Sequence, residues 1–256
     1  MSLSSFLASS AILKKKNQNT GTPYIPIIAI DGPSGSGKST VARQVAERLN
    51  LTYIDTGAMY RALAYKMMIL DQVSPFEMSS EQLLVYLKNL NLSYGSSKEN
   101  LISIDGENLT EKIRNQGIAD FASKISTVGE IRQFLVLFQR DLSLKNPCVM
   151  EGRDITSVVA PDAFCKIYLT ASAQERAKRR MGQLSEGPYE KILVEILERD
   201  ERDMTRKDSP LTIVSDAIVI DSSDVSAEKI VEKIVDIVKK NLVKISCEKE
   251  NRAFFS

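Results

Sequence analysis

Residues 32 to 40 read GPSGSGKST, between the β-branched run YIPIIAID (24 to 31) and the stretch KSTVARQVAERLN. In that second stretch Val41, Val45, Ala46 and Leu49 recur at helical spacing. Strand, glycine-rich loop and helix in this order are the setting in which a G-x-x-x-x-G-K-[ST] segment cradles phosphate. The glycines let the main chain curl until its N–H groups turn toward phosphate oxygens, and the helix behind adds the positive end of its dipole. A plain Gly/Ser turn before a helix would need neither the lysine nor the full spacing. A nucleoside triphosphate is therefore expected on Gly32, Pro33, Ser34, Gly35, Ser36, Gly37, Lys38, Ser39 and Thr40. Lys38 would reach the β- and γ-phosphates, and the Ser39 hydroxyl would ligate Mg2+. The loop leaves open where the phosphoryl group goes.

Composition narrows the chemistry. The chain has no histidine, which excludes an imidazole base, a Ser-His-Asp triad and a His-ligated metal. The formal net charge of +1 argues against a broad nucleic-acid surface. No apolar run approaches the roughly 20 residues that span a bilayer. Three cysteines without C-x-x-C spacing, two of them (Cys148 and Cys165) in apolar runs, predict buried thiols in a reducing cytoplasm. The segment before Tyr24 has a short, Ser-rich apolar part followed by lysines, the reverse of secretory order, and is expected to be a disordered leader.

The 256 residues suffice for one substantial core with a small inserted lobe. LTYID reads as a second strand and GAMYRALAYKMMIL as a second helix. Residues 79 to 110 predict one helix and two short strands around a Gly-Ser-Ser turn. A long helical stretch, GIADFASKISTVGEIRQFLVLFQRDLSLK, leads back to strand PCVMEG. Strand CKIYLT, helices at about 173–184 and 188–207, strand DAIVID and a closing helix over SAEKIVEKIVDIVKKNL complete the chain. Ile230, Ile234, Ile237 and Val238 share one face of that last helix, which should pack on the sheet. The expected fold is α/β: a P-loop NTPase-type parallel sheet flanked by helices, with active groups at the carboxyl ends of the strands. Its parts would be a leader (1–23), a domain (24–242) and a poorly ordered tail (243–256). Within the domain lie a core (about 24–78, 115–172 and 204–242), an insert (about 79–114) and a helical lid (about 173–190).

Other P-loop machines carry parts that are missing here. There is no DxxG switch with NKxD, as in GTPases, and no LSGGQ-like signature; CVMEG ends in one acid, Glu151, rather than an adjacent pair. Small-molecule kinases remain in front. Cations recur at strand ends and on one helix: Arg61 in DTGAMYR, Arg153 beside Asp154 in EGRD, and Arg114 at the close of the insert. Arg199, Arg202, Asp203 and Arg206 follow in ERDERDMTR at helical spacing. A solvated, ion-paired helix is the plain alternative for that last run. Guanidinium groups converging beside the loop would instead grip a second phosphate in bidentate fashion. Arg176, Arg179 and Arg180, before a Gly-containing turn, suit a mobile lid, though a solvated basic helix fits them nearly as well.

Taken together, IAIDGPSGSGKST, YIDTGAMYRALA, EKIRNQGIADFASKIS, VMEGRDITSVVAPDAFCKIYLTAS, ERAKRRM and ERDERDMTR resemble the bacterial cytidylate kinases over about residues 25–241. The resemblance implies ATP-dependent phosphorylation of CMP and dCMP with Mg2+, by a cytoplasmic enzyme whose partners are small molecules. A monomer is the simplest expectation. It further implies Arg61 and Arg153 as acceptor-phosphate groups, acting with Lys38 and Arg180 in catalysis. Arg114, Asp154 and Arg206 would read cytosine, Arg199 and Asp203 would hold the ribose, and Thr56 would stand near the acceptor. Another nucleoside monophosphate kinase, for UMP or dTMP, or a non-catalytic nucleotide-binding module remains open at this stage.

Overall fold

A computed structural model describes residues 25–95, 97, 99–183 and 188–253, the side chains of 183 and 244–253 excepted. The expected leader and residues 184–187 of the expected lid lie outside these. Five parallel strands form the main sheet: β1 (Ile27–Asp31), β2 (Thr52–Asp55), β6 (Cys148–Gly152), β7 (Cys165–Thr170) and β8 (Ile218–Asp221). Their spatial order is β2-β6-β1-β7-β8. The register pairs Asp31 with Gly152 and Asp55 with Glu151, so the acidic carboxyl ends of three strands finish side by side.

The period of two along β1 divides the core. Ala29 faces a layer made by α2 (Thr56–Tyr65), α4 (Gln116–Ile125) and α5 (Gly129–Ser143), while Ile28 and Ile30 face α1 (Lys38–Leu49) and α8 (Ala227–Ala253). Each fully buried Ile or Leu in these layers contributes about 1.5–3 kcal/mol. In α8, Ile230, Ile234 and Val238 are buried as the pattern predicts, and Ile237 packs at the margin. That helix was expected to end near 242, with a poorly ordered tail behind it. It runs on through Ala253 instead.

Two further expectations are corrected. The insert, which begins with α3 (Ser80–Lys88), carries three antiparallel strands rather than two: β3 (Leu92–Tyr94), β4 (Ile102–Ile104) and β5 (Glu107–Asn108). Asp105 and Gly106, at φ 53° and 81°, make the tight turn that an Asp-Gly pair favours. The long helical stretch is also two helices. Between α4 and α5, the Ser126 and Thr127 hydroxyls donate back to the carbonyls of Ser123 and Lys124 at 2.7 and 2.8 Å, which competes with helix continuation.

Helices α6 (Ala173–Gln183) and α7 (Tyr189–Thr205) pack as a pair. Helix α2 passes into a π-helical turn over Lys66–Leu70. Cys148 and Cys165 are buried free thiols, as expected.

Candidate active site

The glycine-rich loop joins β1 to α1. At Gly32 (φ 152°) a Cβ would sit 2.0 Å from the Leu169 carbonyl oxygen, so only glycine lets the loop leave the sheet this close to β7. Gly37 starts α1 at φ 89°. Three loop carbonyls are held by side chains: Pro33 by Lys38 Nζ at 2.8 Å, Ser34 by Arg176 Nη1 at 3.1 Å, and Ser36 by Ser222 Oγ at 3.0 Å.

Lys38 is 5% exposed. Burial first, then the nearby Arg153, lowers its ammonium to about 7, against the pull of Glu151. Burial pushes the Glu151 carboxyl up, with the Asp55 carboxylate adding to it, while Lys38 and the Ser39 and Tyr53 hydroxyls oppose. Tyr53 Oη donates to Glu151 Oε1 at 2.7 Å.

The loop opens into a cavity of about 630 Å³. Ser34, Gly35, Ser36, Gly37, Lys38, Ser39 and Thr40 line one part of it. Thr56, Arg61, Arg153, Asp154, Arg180, Arg199, Asp203 and Arg206 are among the residues that line the rest. Gly32 and Pro33, at the start of the loop, are not part of the lining.

Local structure aims these groups. Asp55 caps α2 by accepting from the Ala58 N–H at 2.9 Å and pairs with Arg61 at 3.0 Å. Tyr94, from the insert, accepts the Asp55 N–H at 2.7 Å. Thr56 Oγ1 donates to the Glu151 carbonyl at 2.7 Å, an approach that a Cβ on Gly152, 2.6 Å from Thr56 Oγ1, would block. Asp31 accepts from the Ile155 and Thr156 N–H groups at 3.0 and 2.7 Å, which fixes the turn that carries Arg153 and Asp154.

Arg153 Nε bonds Asp203 Oδ2 at 2.9 Å. Burial works to raise Asp203, yet Arg153, Arg199 and Arg206 hold it below the usual carboxylate range. Burial and Arg153 lower Arg199 to about 10. The site therefore concentrates more positive charge than its own carboxylates absorb, which suits an anionic ligand.

Arg114 departs from expectation. It is 59% exposed, pairs with Glu111 at 3.1 Å and does not line the cavity. Its neighbour Ile113 is buried in the core, which turns Arg114 outward. The arginine that lines the cavity against Asp154 is instead Arg132 of α5, which sequence reasoning missed. It is buried against Asp154 and lies with Cζ 5.8 Å from the Tyr60 ring centroid. Its Nη1 donates to the Ser126 carbonyl at 3.1 Å, a group freed by the break between α4 and α5. A signal was present, because Arg132 falls on the buried stripe with Ile131, Leu135 and Val136, where a cation is out of place.

The lid arginines divide as well. Arg176 is buried on Asp200 and is no mobile finger. Arg179 bonds the Ser222 hydroxyl at 3.1 Å, and Arg180 donates to Gln116 of α4, which also lines the cavity. Glu151, a cavity-lining carboxylate, was likewise not singled out.

The family model for cytidylate kinase matches residues 28–240. The cytidylate kinase of Caldicellulosiruptor saccharolyticus is 43% identical over 218 residues, covering 83% of this chain and 95% of that protein. That of Caldanaerobacter subterraneus subsp. tengcongensis is 43% identical over 218 residues, covering 84% and 95%. The Thermodesulfovibrio yellowstonii cytidylate kinase is 40% identical over 215 residues, covering 82% and 96%.

Proposed function

Since the chain belongs to the cytidylate kinase family, we propose that it moves the γ-phosphoryl group of ATP onto the phosphate of CMP or dCMP, giving ADP and CDP or dCDP. One observation carries this reading. The phosphate-cradling loop and a separate set of guanidinium groups face the same cavity, so two anionic ligands can meet end to end.

The attacking atom is a phosphate oxygen whose second pKa is near 6, already ionised at neutral pH. No general base is needed, in keeping with a chain without histidine. The protein's task is alignment and charge neutralisation. Residues 32–40 hold the triphosphate, with Lys38 regaining its full charge against the β- and γ-phosphates. Arg61 and Arg153 orient the acceptor phosphate, with Thr56 beside it, and Arg180 moves from Gln116 onto the transferring group.

Arg199 and Asp203 bind the sugar. Asp154 accepts from the cytosine amine, while Arg132 and Arg206 donate to the ring carbonyl and nitrogen. Uracil would set an oxygen against that carboxylate.

Mg2+ fits the residues present. Among the described residues no cluster of three or more acidic, Cys or His side chains forms a cage, and the Ser39 hydroxyl stands by the Glu151 carboxylate. Hard oxygen donors in small number suit an ion that keeps most of its water and binds chiefly to substrate phosphates. Ser39 would hold it, where it supplies charge neutralisation of the β- and γ-oxygens.

The working form is read as a cytoplasmic monomer, in keeping with its free buried thiols and self-contained core. A coupled assay for ADP release with ATP and Mg2+ across CMP, dCMP, UMP and dTMP tests the reading. CMP and dCMP should lead by well over tenfold in kcat/KM. Preference for UMP or dTMP would overturn the acceptor assignment, and no acceptor-dependent ADP release would overturn the transfer itself.

A further inference from the structure

Arg176 and Asp200 do not line the cavity, yet they tie its two halves together. Arg176, on α6, is 5% exposed, and Asp200, on α7, is 6% exposed; Nη2 and Oδ2 lie 2.7 Å apart. The same guanidinium donates to the Ser34 carbonyl of the phosphate loop at 3.1 Å and to the Ala171 carbonyl, just after β7, at 2.9 Å. A Cβ on Gly35 would meet Arg176 Cβ at 3.3 Å, so α6 rests directly on the loop. Asp200 follows Arg199 and precedes Asp203 by about one helical turn, both of them in the cavity lining. One ion pair and one hydrogen bond therefore connect the helix bearing the acceptor-side groups to the donor loop.

The energetics argue against simple stapling. A buried ion pair is weak evidence for stability, since desolvation offsets its attraction. Here the attraction repays that cost less than fully, because Asp200 Oδ1 is buried without a hydrogen-bond partner among the described residues. A pair that is poorly satisfied but geometrically specific, between the phosphate loop and the helix that carries Arg199 and Asp203, is better suited to transmitting position.

Resting on the two-ligand reading above, we propose that Arg176 and Asp200 are positioning residues that couple acceptor binding on α7 to the shape of the triphosphate loop. Each ligand then tightens the other.

The test is calorimetry of CMP and of β,γ-methylene-ATP with Mg2+, each alone and each with the other saturating. The wild-type protein should show mutual tightening of about fivefold or more, within the usual range for coupled sites. Asp200→Asn keeps shape and removes charge. It should leave each separate Kd within about threefold while the coupling falls below about twofold. Arg176→Lys, which keeps charge but loses the fork, should do the same.

Undiminished coupling in folded variants would overturn the inference, even if Tm falls. So would absence of coupling in the wild type, or unfolding of both variants, which would mark the pair as a structural staple. If the wild type binds no CMP at all, the acceptor reading falls and the inference with it. Binding without coupling sinks the inference alone.

Discussion

Arg132 and Asp154 form an ion pair whose side chains are only 4% and 8% exposed, and Arg206 approaches the other Asp154 oxygen at 3.8 Å. Two cations thus lean on one carboxylate. Arg132 Nε and Arg206 Nη2 are left buried without a hydrogen-bond partner among the described residues. On the proposed function, these unspent donors beside a shared carboxylate would match a base carrying both an amine and a carbonyl, and mismatch one carrying two carbonyls.

Asp154→Asn tests this directly. The amide can turn its NH2 toward uracil's oxygen, so the ratio of kcat/KM for CMP over UMP should fall by at least about tenfold. Two arginines also lose their buried counter-ion, so stability should drop by about 3–5 kcal/mol in denaturant titration. An unchanged ratio in the folded variant would remove Asp154 from base selection.

Arg132 and Arg114 offer a paired comparison. Arg132→Met should raise the KM for CMP by about tenfold or more, in line with losing a hydrogen bond from a charged group, while leaving ATP binding intact. Arg114→Ala, at an exposed pair outside the cavity, should change steady-state constants by less than about twofold. The reverse pattern would restore the sequence-based assignment.

Arg61 is aimed by Asp55, itself placed by Tyr94. Arg61→Ala should weaken acceptor KM or kcat by roughly 10²-fold, the scale of losing one preorganised charge at a reacting centre. Direct titration should find the ATP Kd within about twofold. Loss of ATP binding alone would contradict the placement.

Lys38 makes a pH prediction. Its folded pKa, about 7, lies below the unfolded 10.5. Between those values the unfolded chain binds more protons, so this group's destabilising contribution is full below about pH 7 and fades toward pH 10.5. A bound triphosphate favours the charged form. ATP binding at pH 8 in EDTA should then take up close to one proton, seen as a dependence of calorimetric heat on buffer ionisation enthalpy. Affinity should weaken as pH rises through this window. Heat independent of buffer, or equal uptake in Lys38→Met, would count against it.

Strand, loop and helix around residues 27–49 were legible because local chemistry alone dictates them: β-branched residues, three glycines at required dihedrals and an amphipathic repeat. The third strand of the insert was also written locally, in an Asp-Gly pair read past. The split of α4 from α5 was harder to see, since hydroxyls that can bond back to the helix are common inside helices that do not break.

Residue order along the chain was enough to point to a phosphate-holding loop, a parallel sheet and the family, since each rests on neighbours within one or two elements. Which arginines reach the cavity was decided by long-range packing. Arg114 and Arg132 are both arginines near helix-rich segments, and only the burial of Ile113 and the break before Gly129 send one to solvent and the other to Asp154. The same holds for Arg176, which reads as one more lid cation until α7 brings Asp200 against it. A side chain's identity is written in the sequence, but what it faces, and for Lys38 how readily it holds its charge, depends on how the layers close.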